Sequence, residues 1–296
     1  MLKRTIFISN PYYLSLKNKQ LQISEKSGEV IKTAPVEDIG FLVLDHPQIS
    51  FSMKLVEELN EYNVATVFCD SKHLPSSMLL PLDANHIQNE IFRAQIEASE
   101  PLKKNLWKQT IEVKIQNQAR LLEKLGKNSI PLKALAKVVK SGDSDNREGF
   151  AARLYWIELL GKDFIRDRYG EPPNPFLNYG YILLRSAVAR SLAGSGLLAT
   201  LGIHHRNRYN AFCLADDVME PYRPYVDEIV FSLNEKWPGF FMLEKEHKAE
   251  LLQLMTADVI IGGNKRPLMV ALSQTAASLA RCYSGETRKI IYPEFE

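Results

Sequence analysis

Cysteine is scarce in this chain. Only Cys69, Cys213 and Cys282 occur, an odd number, widely spaced and in no C-x-x-C pair. That excludes a disulfide framework and a cysteine zinc site, and it fits a reducing, cytoplasmic setting. Long apolar runs are missing as well. The longest, Phe41–Leu44 and Leu197–Ile203 with its Thr and Gly, fall far below the ~20 residues of a spanning helix. The opening MLKRTIFISNPYY has no apolar stretch of about seven or more before Asn10 and Pro11, so it does not read as a signal peptide, and neither export nor a membrane is expected. No 20–50-residue period repeats and no segment is of low complexity. Nor is there an excess of one charge: 37 Lys+Arg meet 35 Asp+Glu over 296 residues, a formal +2. A global polycation is thereby excluded, but a local basic surface is not.

What is present divides in two. From Thr5 to Asp45 short β-branched and aromatic runs (TIFIS, YYLSL, QLQIS, EVIKT, GFLVLD) alternate with turn residues at Asn10-Pro11, Asn18, Ser27-Gly28 and Pro35. A helix is expected over Ser52–Asn60, a buried strand over Val64–Phe68 and an extended stretch near Ser77–Leu82. Asp83 then suits the cap of a long helix from about His86, whose Ile87, Ile91, Ala94 and Ala98 keep helical spacing. Beyond it helices dominate, punctuated at Gly126–Pro131, Ser141–Asn146, Gly170–Asn174, Pro221, Pro224, Pro238 and Gly262-Gly263. The expected fold class is α+β: a small N-terminal β-sheet domain over residues 1–82, then a larger all-α-helical domain over 83–296.

Charge divides at the same place. Residues 1–85 hold eight basic and ten acidic side chains, net −2; the remainder holds 29 against 25, net +4. The asymmetry of type is sharper, since nine of the fifteen arginines lie between Arg147 and Arg223, where Lys162 is the only lysine of twenty-two. Arginine grips phosphate bidentately and stacks on bases, so this stretch is a candidate phosphate or nucleic-acid surface. The plainer reading is that these arginines pair with acids on a solvated face.

Three segments could carry chemistry. Glu148 stands three residues after Asp145, as in a capping box, yet it shares a helical stripe with Ala152, Tyr155 and Leu159, where a carboxylate needs a cation or metal. His204-His205 is followed at once by Arg206, Asn207, Arg208, Tyr209 and Asn210, the composition of a phosphate-gripping, base-stacking loop. Asp217 and Glu220 are three apart and share a face if helical, although acids at a helix start also satisfy the helix dipole. Two carboxylates and an imidazole would make a mixed O/N site suited to Mg²⁺ or Mn²⁺, as phosphodiester chemistry requires.

The sequence resembles the CRISPR-associated spacer-acquisition integrases, the Cas one family, and in particular the branch found beside type II effectors. The resemblance rests on Glu148-Gly149-x-Ala151-Ala152-Arg153-x-Tyr155-Trp156, Asn178-Tyr179-Gly180-Tyr181-x-Leu183-Leu184-Arg185, Gly196-Leu197 with Gly202 and His205, and Leu214-Ala215-x-Asp217-Val218-Met219-Glu220-x-x-Arg223-Pro224. It spans the chain but is strong only over about residues 146–224. It departs after Gly196-Leu197, where many relatives have Leu-Asp-Pro and this chain has Leu198-Ala199-Thr200.

The resemblance implies that Glu148, His205 and Glu220 are catalytic metal ligands, with Asp217 as a nearby second carboxylate. It implies a DNA integrase that joins the 3′ ends of short foreign DNA duplexes to a CRISPR repeat by two transesterifications, with associated endonuclease activity. It also implies a homodimer formed through the sheet domain, working with a dimer of the small partner Cas two and alongside type II effector components. Arg206, Arg208, Tyr209 and Arg223, close to His205 or Glu220, are the candidate DNA contacts. Two alternatives stay open: a metal-dependent nuclease on branched DNA, and a structural DNA-binding subunit whose acids and His are caps and core contacts.

Overall fold

The computed structural model describes residues 4–82, 84–237 and 242–296. Asp83, expected as a helix cap, and Pro238 lie outside them. The chain separates into two compact units, Met1–Asp83 and Ala84–Glu296.

The first unit is built of β1 (Arg4–Ile8), β2 (Tyr13–Lys17), β3 (Gln20–Ser24), β4 (Val30–Pro35), β5 (Ile39–Leu44), β6 (Ser50–Phe51), α1 (Met53–Glu61), β7 (Ala65–Cys69) and β8 (Pro75–Leu79). The run of strands forms two four-stranded sheets, ordered β1-β5-β7-β8 and β4-β3-β2-β6. In the first, β5 is flanked by parallel partners on both sides. All six of its residues, Ile39 to Leu44, are buried, as a parallel central strand requires. The β2–β3 connection needs left-handed backbone at both turn residues, and Asn18 and Lys19 supply it with φ 52° and 59°. Ser52 caps α1 by accepting from the Leu55 amide. Leu14, Leu21, Leu42, Leu55 and Leu59 meet in this unit's core.

The second unit holds α2 (Gln88–Ile96), α3 (Glu100–Lys124), α4 (Ile130–Ala136), α5 (Arg147–Leu160), α6 (Asn174–Gly194), α7 (Cys213–Met219), α8 (Arg223–Lys236), α9 (Lys245–Leu252), β9 (Asp258–Ile261), β10 (Asn264–Pro267), α10 (Leu268–Tyr283) and β11 (Pro293–Glu294). The long helix expected from His86 is two helices. Ser99 accepts from the Leu102 amide and Pro101 occupies the first turn of α3, a start signal that a continuous helix would not tolerate. Pro224 likewise opens a helix, α8, and Pro221 lies in the short 3₁₀ turn Glu220–Tyr222 before it.

The unit is not all helical. β10, β9 and β11 form a three-stranded antiparallel sheet. Gly262 and Gly263, with φ 56° and 74°, make the two-residue turn between β9 and β10. A Gly-Gly pair after a β-branched run was therefore a hairpin signal, not only punctuation. The fold class is otherwise as expected: α+β, with a sheet unit followed by a mostly helical one. Among the described residues no helix is long and apolar enough to cross a membrane.

The helix that organises the site is α3, whose buried face runs through Trp107, Ile111, Lys114, Gln118 and Leu121. Its Asn117 donates to the carbonyls of Pro221 (2.8 Å) and Pro293 (3.0 Å) and accepts from the Phe295 amide (3.0 Å). One buried amide thus fixes both the turn carrying Glu220 and the C-terminal strand to α3.

Candidate active site

Glu148 sits in the first turn of α5, and the capping there leaves its side chain free. Asp143 accepts from the amides of Arg147 (2.8 Å) and Glu148 (3.0 Å), and Asn146 accepts from Gly149 (3.2 Å). Asp145, the residue expected to form a capping box with Glu148, instead binds the Arg147 guanidinium at 2.9 Å. The helix start is therefore closed by other side chains, and Glu148 is turned to Lys114.

Lys114 Nζ lies 2.5 Å from Glu148 Oε1 and 2.6 Å from Glu220 Oε2. Glu220, almost wholly buried, also receives Arg223 Nη2 on Oε1 at 2.9 Å. Burial pushes the Glu220 carboxyl up, but Arg223 and Lys114 together outweigh it and hold its pKa below the ordinary value. Burial pushes the Lys114 ammonium down, and the facing carboxylates of Glu220 and Glu148 more than reverse this. Two carboxylates from separate segments therefore converge on a single cation.

Arg223 is itself held from behind. Its guanidinium lies 4.4 Å from the Tyr181 ring centroid. The Tyr181 hydroxyl donates to Asp227 Oδ1 (2.5 Å) and the Tyr155 hydroxyl to Asp227 Oδ2 (2.8 Å). Burial raises the Asp227 carboxyl to about 6 despite these donors.

His205 comes from the loop between α6 and α7, and Asp217 of α7 fixes it. Asp217 accepts from the His204 amide at 2.8 Å, and its other oxygen contacts His205 Nδ1. That contact raises the imidazole pKa against the effect of burial, with smaller contributions from Glu220 and Glu148. It leaves Nε2 as the nitrogen available to a ligand. A Cβ at Gly202 would stand 2.4 Å from the His205 carbonyl oxygen and 2.9 Å from Asp217 Oδ2, so only glycine fits this approach. Trp107 of α3 stacks on His204 with centroids 4.4 Å apart and meets His205 edge-on at 5.6 Å.

The arginines are placed differently from one another. Arg206 is exposed, and its Nη2 donates to both carboxylate oxygens of Glu100 at 2.7 and 2.9 Å. Arg208 lies against its neighbour Tyr209, whose ring is 4.6 Å away and 80% exposed. Both line a cavity of about 390 Å³ that also borders Gly202 and His205. Arg223 instead has three quarters of its side chain covered and serves Glu220. Arg147 pairs with Asp145, and Arg185 forks onto Asp216 at 2.6 and 3.0 Å.

Among the described residues no three His, Cys, Asp or Glu side chains are gathered closely enough to hold a metal as they stand. Lys114 fills the centre. The donor types nonetheless suit an oxygen-preferring divalent ion: two carboxylates share one cation position, and an imidazole has its other nitrogen held by a carboxylate. Glu220 Oε2, although near Lys114, has no hydrogen-bond donor aligned on it, so it keeps an acceptor site. The residues fit such an ion once the ammonium moves aside.

Sequence reasoning did not single out Lys114 or Trp107. The signal was present: residues 107, 111, 114, 118 and 121 trace one helical stripe, and a lysine on an apolar stripe calls for a buried carboxylate.

This arrangement of a sheet unit before a helical unit is shared with solved structures of a defined class. A casposase bound to integration product aligns with a TM-score of 0.77 at 20% identity, covering 97% of this chain and 91% of that one. A Cas1 protein from Thermotoga maritima aligns with a TM-score of 0.74 at 17% identity, covering 95% and 97%. The class is therefore the Cas1–casposase fold. In sequence, residues 6–238 match the family model described as CRISPR associated protein Cas1. The CRISPR-associated endonuclease Cas1 of Neisseria meningitidis is 40% identical over 238 residues, 80% of this chain and 77% of that protein. That of Francisella tularensis subsp. novicida is 26% identical over 96% of this chain and 97% of its own length. The chain belongs to the Cas1 family.

Proposed function

We propose that this protein is a metal-dependent DNA integrase of CRISPR adaptation, which inserts short foreign duplexes into a CRISPR array by attack of their 3′-hydroxyls on repeat DNA. The observation that carries the reading is the convergence of Glu148 and Glu220 on one cation position, with His205 held by Asp217 within their field. Glu148, Glu220 and His205 would hold Mg²⁺ or Mn²⁺. When bound, the ion would neutralise phosphate charge and assist ionisation of the attacking hydroxyl.

The chain's own residues account for the rest. Asp217 orients the imidazole through Nδ1, Arg223 keeps Glu220 ionised and aimed, and Asp143 and Asn146 cap α5 so that Glu148 points inward. Arg206 and Arg208 line the cavity beside His205, and with the exposed Tyr209 ring that lies against Arg208 they would position a DNA strand by phosphate grip and base stacking. Solved relatives include Cas1–Cas2 complexes and a Cas1–DNA complex. Duplex DNA, CRISPR repeat DNA and a Cas2 dimer are accordingly the proposed partners, with homodimerisation through the sheet unit.

The test is strand transfer. The protein is incubated with its Cas2, a supercoiled plasmid carrying the repeat, labelled duplex DNA and Mg²⁺ or Mn²⁺. Joined product lost in EDTA, and lost in Glu148→Ala and His205→Ala, is the expected result; product unaffected by either substitution overturns the site. The endonuclease name of the relatives favours one further reading, hydrolysis of branched DNA with water as nucleophile at the same site. A flap substrate cleaved without any joined product would select it.

A further inference from the structure

Glu148 and Glu220 belong to different segments, and each meets the ammonium of Lys114, a side chain only 9% exposed. We infer that Lys114 is the resident counter-ion of this site: it occupies the place between the two carboxylates when no divalent ion is bound and yields that place when one binds. This rests on the metal-dependent reading above.

Charge requires a cation there. Two carboxylates this close in a largely buried setting repel each other and are poorly solvated, so without a partner one of them would take up a proton. With Lys114 between them and Arg223 on Glu220 Oε1, two negative charges face two positive ones. The site is thus assembled before any metal arrives.

The same balance makes Lys114 and a divalent ion competitors. An ion at the meeting point of the carboxylates would place two more positive charges beside the ammonium, a like-charge contact that burial intensifies. Ligand lengths conflict as well, since Mg²⁺ draws oxygens to about 2.0–2.1 Å, well inside ammonium–carboxylate distances. Both cations cannot sit at one point. Lysine's flexible four-carbon stem lets the charge withdraw while the backbone of α3 stays in place, which a rigid guanidinium would do less readily.

The partner that changes is legible. Arg223 can remain on Oε1 of Glu220, while Oε2, which faces Lys114 without an aligned hydrogen bond, is the oxygen that passes from ammonium to metal. On the Glu148 side the bond to Lys114 must break.

Lys114→Met tests this in the full-length chain, by titrating Mn²⁺ and following the free ion by electron paramagnetic resonance, with melting temperatures in EDTA and in Mn²⁺. The expected result is Mn²⁺ binding on the order of tenfold tighter than wild type, because a competing like charge has gone. The variant should also melt below wild type in EDTA and recover more than wild type does when Mn²⁺ is added. Binding equal to or weaker than wild type overturns the inference.

Glu148→Gln separates this from the broader reading. If wild type binds Mn²⁺ and Glu148→Gln does not, yet Lys114→Met is no tighter, the counter-ion role alone fails. If neither wild type nor Lys114→Met takes up Mn²⁺, both readings fall. Should Lys114→Met not fold, Lys114→Gln removes the same charge while keeping a donor for the carboxylates, and the same affinity comparison decides.

Discussion

The carboxylate of Asp217 engages His205 through its ring at Nδ1 and holds the preceding residue through the His204 amide at 2.8 Å. It is fully buried, so its position depends on these donors and theirs on it. Asp217→Asn keeps the volume but sets an NH₂ against one of them. Since losing the group behind a ligand histidine typically costs 10–100-fold, strand transfer should fall by roughly that factor. The far-ultraviolet circular dichroism should be unchanged. Activity within twofold of wild type would show that the imidazole does not need this partner.

Gly202 makes that contact possible. An added methyl would sit 2.4 Å from the His205 carbonyl oxygen, and backbone must move to relieve it. Gly202→Ala should destabilise the helical unit by about 1–3 kcal/mol, as overpacking does. Its effect on strand transfer should exceed what the lost folded fraction explains, because the displaced segment carries the imidazole. Urea unfolding beside initial rates distinguishes the two effects.

Several of these relationships could be read in the chain before its fold was known, and the reason differs from residue to residue. The run GFLVLD read as a strand because its residues are β-branched, aromatic or aliphatic, yet nothing in it showed that Ile39–Leu44 would be buried on both faces or named β1 and β7 as parallel partners. Glu148, His205, Asp217 and Glu220 stood out because ionisable groups in apolar or glycine-flanked settings need partners. Their partners are set by tertiary approach: Lys114 lies 34 residues from Glu148 and Asp227 lies 72 from Tyr155. Asp145 illustrates the opposite error. Its spacing to Glu148 satisfied a local rule, but Asp143 and Asn146 reached the amides first. The β9–β10 hairpin was missed because its strands are four residues each and Asn264–Pro267 is mostly polar and exposed.

Asp227 should give the helical unit a distinctive pH dependence. Burial raises its carboxyl from 3.8 to about 6, so the folded chain binds a proton more tightly than the unfolded chain. Its contribution to stability is then most favourable below pH ~4 and declines as pH rises towards 6, by about 3 kcal/mol in all. Asp227→Asn cannot titrate, and its amide oxygen can still accept from a tyrosine. The stability of Asp227→Asn minus that of wild type should therefore grow by about that amount between pH 4 and pH 7. Trp107, Trp156 and Trp237 all lie in this unit, so urea denaturation followed by tryptophan fluorescence reports it directly. A constant difference across the range would mean that Asp227 stays ionised throughout.

The exposed pair of Arg206 and Glu100 predicts two substitutions with opposite effects on DNA. In the free protein Glu100 forks onto Arg206 and, with Lys103 assisting, its carboxyl is held below the ordinary value. A phosphate approaching Arg206 must displace that carboxylate. Arg206→Ala should weaken binding of duplex DNA of any sequence and lower the slope of log affinity against log salt by about one unit, the loss of a single phosphate contact. Glu100→Ala should strengthen binding, because the guanidinium is released and a repelling charge is gone. Arg208→Ala should resemble Arg206→Ala, whereas Tyr209→Ala should reduce affinity for frayed or single-stranded ends while leaving the salt slope intact, as stacking carries no counter-ion release. Fluorescence anisotropy over a salt series measures all four. If Arg206→Ala weakened binding to one DNA sequence only, Arg206 would be reading bases, and its pairing with Glu100 would be a specificity device rather than a competitor of phosphate.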